Sequence, residues 1–92
     1  MIKSFRDSDT ELLFNEERVQ KWQSIESVAR RKLNMVHAAT RLADLKVPPK
    51  NQLEKLERDR EGQHSIRIND QYRVCFVFRD GDAYEVEIAD PH

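Results

Sequence analysis

Two hydrophobic periods divide the 92-residue chain. In the first half, apolar residues recur at the three- and four-residue spacing of a helix that is buried on one side. From His64 onward, apolar and polar residues alternate, which is the period of a half-buried strand. This change predicts an α+β fold in which two N-terminal helices pack on a C-terminal antiparallel β-sheet.

The N-terminal half predicts one short strand and both helices. Residues 2–5 alternate enough for a strand, and Ser8 with Glu11 forms a capping-box pattern that starts a helix over about residues 9–16. A longer helix is expected over about residues 24–40. Its apolar positions fall on one arc, and they are Ile25, Val28, Ala29, Leu33, Val36 and Ala39.

Residues 42–51 contain two consecutive prolines and predict a connection in which Leu45 and Val47 are buried. Residues 51–59 fit either a short helical turn or irregular chain. There is no internal repeat or low-complexity segment, and the length suits one domain over residues 1–92.

The C-terminal half predicts an antiparallel meander with hairpin turns at Asn69-Asp70 and Asp80-Gly81. For its apolar residues to share one face, each hairpin needs an odd number of unpaired residues or an equivalent bulge. The residues expected on that apolar face are Ile66, Ile68, Tyr72, Val74, Phe76, Phe78, Tyr84, Val86 and Ile88.

The same parity places Arg67 directly opposite Arg73 on the other face of the sheet. Like charges at directly opposed positions are destabilising unless another group neutralises them. One interpretation is a fork for a phosphate group, since guanidinium geometry suits phosphate oxygens. The alternative is neutralisation by carboxylates such as Glu87 or Asp90.

The net charge of −1 predicts no nucleic-acid binding by bulk electrostatics. Basic residues between positions 50 and 73 alternate with acidic ones, so the local sum is close to zero. An anion site in this region must therefore come from geometry. The basic residues concerned are Lys50, Lys55, Arg58, Arg60, Arg67 and Arg73.

Neither a metal site nor a cofactor site is expected. His37, His64 and Cys75 lack metal-ligand spacing, and two glycines cannot form a glycine-rich phosphate loop. The single cysteine permits no intramolecular disulfide, and no leader or membrane-length apolar run is present, which favours a reduced cytoplasmic protein. His92 directly follows the last strand, where an imidazole is a natural proton donor or acceptor.

Four segments resemble HigB-type toxins of the RelE/ParE toxin–antitoxin superfamily. They are residues 2–5, Asp59-Arg60-Glu61-Gly62 followed by Ser65-Ile66, Tyr72-Arg73-Val74-Cys75-Phe76, and Asp90-Pro91-His92. The resemblance runs from Met1 to His92. It implies a RelE-like microbial RNase fold and metal-independent mRNA cleavage on the ribosome, which inhibits translation. It also implies a cognate HigA-like helix-turn-helix antitoxin in a hetero-oligomer.

The resemblance also assigns the catalytic residues. Arg73 matches the family's arginine in the third strand, while Asp90 and His92 match the outer residues of a terminal Asp-Tyr-His. In the implied reaction, the ribose 2′-OH attacks the adjacent phosphate. Arg73, helped by Arg67, stabilises the phosphoryl charge, and His92 acts as acid or base, while Asp90 either orients His92 or fixes the chain end.

Two positions depart from the family pattern. Pro91 replaces an aromatic residue that stacks on a base. The segment Glu54-Lys55-Leu56-Glu57 replaces the common His-Pro-Leu-Lys, so two basic groups have become acidic. Lys55, Arg58 and Arg60 are the candidate phosphate-binding substitutes.

On the longer helix, Arg30, Arg31 and Lys32 form a patch that would contact ribosomal RNA, although a solvated helix face is the plainer interpretation. Lys32 falls inside the apolar arc, so we expect its amine to extend past the arc's margin. Two other functions remain open for the whole chain. One is a ParE-like inhibitor of DNA gyrase without RNase activity, and the other is an inactive module that only binds the antitoxin.

Overall fold

The computed structural model describes residues 1–57 and 62–90 and confirms the α+β fold. Two α-helices precede a four-stranded antiparallel sheet of order β1-β2-β3-β4. The helices are α1 (Ser8–Phe14) and α2 (Glu26–Ala38), and the strands are β1 (Glu54–Lys55), β2 (Gln63–Arg67), β3 (Arg73–Arg79) and β4 (Asp82–Ala89). Short 3₁₀ turns occupy Gln20–Ile25, Leu42–Lys46 and Pro49–Asn51.

Helix α1 begins at a different cap from the predicted one. The carboxylate of Asp7, rather than the Ser8 hydroxyl, accepts the backbone N–H of Thr10 at 3.0 Å. Asp7 also accepts the Thr10 hydroxyl at 2.7 Å. The oxygen of that buried hydroxyl in turn accepts the backbone N–H of Ile88 at 3.0 Å. The cap therefore joins the first helix to the last strand.

Helix α2 covers the sheet with the predicted apolar arc. Ala29, Leu33 and Val36 are fully buried, whereas Val28 is only half-buried. The helix starts later than predicted because residues 20–25 form a 3₁₀ turn that buries Trp22. No helix in the described ranges is long and apolar enough to cross a membrane.

In the connection after α2, we predicted that two apolar side chains are buried, and only one of them is. Leu45 is buried as expected, but the Val47 side chain is 72% exposed. The backbone carbonyl of Val47 accepts an N–H from the buried Asn51 amide at 3.4 Å, so the backbone of Val47 faces inward and its side chain outward. Edge strand β1 was not predicted, because two exposed charged residues give no alternation.

The sheet register confirms the predicted opposition of Arg67 and Arg73, and of Ile66 and Val74. In the second hairpin, Asp80 and Gly81 form a two-residue turn with positive φ at both positions, as primed turns require. Because this turn has an even number of residues, the apolar side chains of β3 and β4 share one face only if one of the two strands contains a bulge.

The bulge lies in β4. Cys75 and Val77 pair with Glu87 and Tyr84, so β4 has one extra residue, and Glu85 adopts a positive φ of 54°. The predicted apolar position of Tyr84 is therefore wrong. The extra residue shifts the alternation, so Ala83 takes the buried position in place of Tyr84, while Val86 and Ile88 are buried as predicted.

The N-terminal segment lies beside β4 in the parallel direction. Bridges join Ile2 to Ala83 and Phe5 to Val86, on either side of the bulge. Because the bulge separates them, they remain isolated bridges and not the continuous strand that was predicted. The Ile2 N–H also donates to His37 Nδ1 at 3.0 Å, so His37 anchors this segment to α2.

Candidate functional site

The site lies on the sheet face opposite the helices, which we call the arginine face and define by Ser65, Arg67, Arg73, Cys75 and Glu87. Register brings these residues together, since Arg73 lies between Arg67 and Ala89 and Cys75 lies between Ser65 and Glu87. Ser65 and Cys75 are fully buried, and both arginines are half-buried. The face therefore has a buried, polar centre near the arginine pair.

Arg73 is held from two sides. Its Nε donates to the Ser65 hydroxyl at 2.7 Å, and its Nη2 donates to the backbone carbonyl of Gln52. Both acceptors are uncharged, and no ion pair involves Arg73 within residues 1–57 and 62–90. In those same residues Nη1 has no hydrogen-bond acceptor. The guanidinium thus keeps its charge and two N–H groups for an anion.

Arg67 has a different environment. Its Nη2 pairs with the carboxylate of Asp70, whose side chain is 98% exposed in the hairpin turn. A carboxylate thus neutralises one arginine of the pair, although it is neither of the two proposed from the sequence. Because Asp70 is exposed, breaking this ion pair costs little.

The predicted acid and base residues are only partly described. Asp90 directly follows Ala89, the register partner of Arg73, and its Oδ2 accepts the Gln71 side-chain amide at 3.2 Å. His92, with the phosphate-binding candidates Arg58 and Arg60, lies outside the described residues. The structure therefore describes one of the two terminal candidates, which is next in the chain to the register partner of Arg73.

The third phosphate-binding candidate, Lys55, does not join Arg73. Lys55 pairs with His64, so its side chain is directed to the helix-covered side, whereas Glu54 pairs with Ser65 of the arginine face. Burial, followed by the Lys55 charge, lowers the pKa of His64. Glu54, an acidic residue, therefore lies on the side of the arginine face.

The three helix cations do not form one surface. Arg30 donates from Nε to the Leu13 carbonyl at 2.9 Å and from Nη2 to Glu26 at 3.1 Å. We predicted that the Lys32 amine extends past the margin of the apolar arc. This prediction is wrong, because Lys32 is only 6% exposed. Arg31 alone is exposed. A contact with ribosomal RNA is thus available to Arg31 and not to Lys32.

Sequence reasoning missed both partners of Arg73. Ser65 was detectable, since it lies two residues before Arg67 in the same strand and so shares its face. The Gln52 carbonyl left no signal, because any residue supplies a carbonyl and the turn that aims it is irregular. Across the described ranges, no three His, Cys, Asp or Glu side chains form a metal-binding group.

These features define a small α+β domain with a restrained arginine on one sheet face, for which residues 1–57 and 62–90 supply no carboxylate partner. A family model described as a RelE-like toxin of the type II toxin-antitoxin system HigB matches residues 3–92. The full chain is 37% identical to Toxin HigB-1 of Vibrio cholerae, spanning 98% of that protein. It is 35% identical to Endoribonuclease HigB of Proteus vulgaris, with both chains fully covered. The chain belongs to the HigB-like toxin family of type II toxin–antitoxin systems.

Proposed function

We propose that this toxin is an endoribonuclease that cuts mRNA on the ribosome and that Arg73 binds the phosphate being cleaved. The observation that carries the proposal is the geometry of Arg73, whose Nε and Nη2 are fixed by Ser65 and Gln52 while Nη1 has no acceptor among the residues that the structure describes. A preorganised donor aimed at developing charge is worth about 10²–10³-fold in rate. The name of the Proteus vulgaris relative supports endoribonuclease activity.

The proposed reaction needs only groups that this chain and its substrate supply. The ribose 2′-OH loses its proton and forms a bond to the adjacent phosphorus. The bond from phosphorus to the 5′-oxygen breaks, and that oxygen takes up a proton. The products are a 2′,3′-cyclic phosphate and a 5′-hydroxyl. Arg73 and Arg67 stabilise the phosphoryl oxygens. His92 acts as the acid or the base in these proton transfers, and Asp90 orients the His92 imidazole.

Dependence on the ribosome follows from the size and charge of the chain. A 92-residue protein of net charge −1 has little basic surface with which to hold an RNA strand. Positioning of the message by the ribosome supplies the orientation that the toxin lacks. The exposed Arg31 is our candidate contact with ribosomal RNA. The cytoplasm, where translation occurs, is the corresponding location.

Membership of a toxin–antitoxin family implies an antitoxin partner, and we propose a HigA-like helix-turn-helix protein. The gyrase alternative is not favoured, because the family model and the named relatives are HigB toxins. An inactive antitoxin-binding module predicts no growth arrest when the chain is expressed alone. Arrest on expression without an antitoxin would exclude that alternative.

The test is mRNA cleavage in a reconstituted translation system, with and without ribosomes. We expect cuts only when ribosomes are present, with 2′,3′-cyclic phosphate ends. A chelator selective for transition metals, which leaves ribosomal Mg²⁺ in place, is expected to have no effect. Cleavage of free RNA at the same rate would refute the ribosome dependence. Absence of any cleavage, with inhibition of supercoiling by gyrase, would refute the nuclease.

A further inference from the structure

Lys32 and Asn51 form a buried polar pair beneath the sheet edge. Lys32 Nζ donates to Asn51 Oδ1 at 2.6 Å, while Asn51 is fully buried and Lys32 is 6% exposed. In the part of the chain that the structure describes, no carboxylate pairs with Lys32. Burial, together with the charges of Arg31, Arg67 and Lys50, lowers the Lys32 pKa. A buried ammonium beside a neutral amide is costly, so packing does not explain this pair.

Asn51 uses its whole amide to fix the turn in which it lies. Its Nδ2 donates to the Leu45 carbonyl at 3.2 Å and to the Val47 carbonyl at 3.4 Å. Its own backbone N–H donates to the Pro48 carbonyl at 2.9 Å. The Asn51 Oδ1 atom accepts the hydrogen bond from Lys32 Nζ. The side chain is therefore held from both ends between α2 and the connection that follows it.

The next residue links this pair to the arginine face. Gln52 has left-handed backbone angles, φ 45° and ψ 57°, and its N–H donates to the Pro49 carbonyl at 3.0 Å. Its carbonyl accepts the Nη2 of Arg73. One peptide unit thus separates the buried amide of Asn51 from the acceptor that restrains the guanidinium. The direction of that acceptor depends on the turn that Asn51 and Lys32 hold.

We propose that Lys32 and Asn51 are positioning residues for Arg73, which hold the Gln52 carbonyl so that the guanidinium presents its Nη1 side to phosphate. This inference rests on the proposed function of Arg73. Loss of the Lys32 donor would free the Asn51 amide, loosen the turn and leave Arg73 held by Ser65 alone. The free energy spent on burying Lys32 and Asn51 thus supports the orientation of Arg73 in β3.

The test is Lys32→Met, which keeps an unbranched side chain one atom shorter than lysine and removes the donor. We expect kcat for ribosome-dependent cleavage to fall about tenfold with KM unchanged, less than the roughly 10²-fold loss that a full 1 Å misplacement causes. By NMR at low temperature, the Nη2 protons of Arg73, which Gln52 binds, are expected to exchange with water several-fold faster than in the wild type, while the Nε–H stays bonded to Ser65 and keeps its protection. If Lys32→Met does not fold, Lys32→Gln, whose amide N–H ends one bond short of Nζ, is expected to change both readouts in the same direction.

Lys50→Met is the matched control for the NMR readout, because it removes a neighbouring exposed cation from the same turn. It is expected to leave exchange at the Arg73 Nη2 protons unchanged. A fall in kcat without faster exchange, or faster exchange without a fall in kcat, would overturn the positioning role. Normal cleavage by Arg73→Ala would instead refute the proposed function, while the exchange measurement would still test the structural link.

Discussion

The two faces of the sheet are built from alternate residues of the same strands, yet different interactions hold them. On the helix-covered face, Ile66, Val74 and Phe76 are fully buried among apolar side chains. On the arginine face, the fully buried Ser65 lies beneath a half-buried arginine and bonds to it. One face depends on packing volume and the other on hydrogen-bond direction. The first is therefore expected to set stability and the second activity.

The largest expected effect tests the apolar face. Leu33→Ala removes a fully buried side chain of α2 and is expected to lower the free energy of unfolding by about 2–5 kcal/mol. Urea unfolding measures this loss. Any loss of cleavage should follow the unfolded fraction. A variant that remains fully folded but does not cleave would contradict the division between the faces.

A smaller effect is expected at Arg67. Arg67→Ala should slow cleavage roughly fivefold, the effect of about 1 kcal/mol between charges 4 Å apart in water. Since it also removes the like charge opposite Arg73, stability should stay level or rise by a few tenths of a kcal/mol. Single-turnover cleavage and thermal unfolding measure the two effects. A marked loss of stability would mean that Arg67 belongs to the structural part of the sheet.

The bulge in β4 allows a gain in stability. Glu85→Gly removes the side-chain clash of a left-handed residue, which costs about 1–2 kcal/mol, although glycine loses more backbone entropy on folding. We expect a net increase of up to about 1 kcal/mol with cleavage unchanged. Thermal unfolding is the measurement. A lower melting temperature would show that Glu85 makes a contact that outweighs its backbone strain.

The smallest effect is a pH dependence from His64. Burial lowers its pKa in the folded protein, so protonation favours the unfolded chain. Stability is expected to be complete above the unfolded pKa of about 6.5 and to fall as pH drops from there through the folded pKa. Urea midpoints between pH 8 and pH 5 should show a weaker fall for His64→Gln. Equal slopes would remove His64 as the cause.

Parity explains how much of this molecule was predictable. The opposition of Arg67 and Arg73 follows from alternation alone. If the pairing of β2 with β3 slipped by one residue, the apolar side chains of one strand would turn to the exposed face. Alternation also required a compensating bulge but did not give its place at Glu85. There the backbone N–H donates to the Ser4 hydroxyl, a contact with no period in the sequence. Tyr84 was consequently assigned to the wrong face.

The environment of Arg73 was less predictable. Lys32 fits a helical arc, but its burial depends on Asn51, which is 19 residues away in an irregular turn. The Gln52 carbonyl depends on the same turn. Such contacts have no period in the sequence, because each joins two segments with unrelated patterns. The regular elements were therefore predictable, while the contacts that orient the catalytic candidate were not.

The central claim is that Arg73 acts through its place on the arginine face and not through its charge alone. The direct measurement is ribosome-dependent cleavage by Arg73→Ala beside Arg79→Ala, the same change at the other end of β3. We predict a loss of about 10²–10³-fold for Arg73→Ala and nearly full activity for Arg79→Ala. Equal losses for the two variants, or full activity in both, would contradict the account.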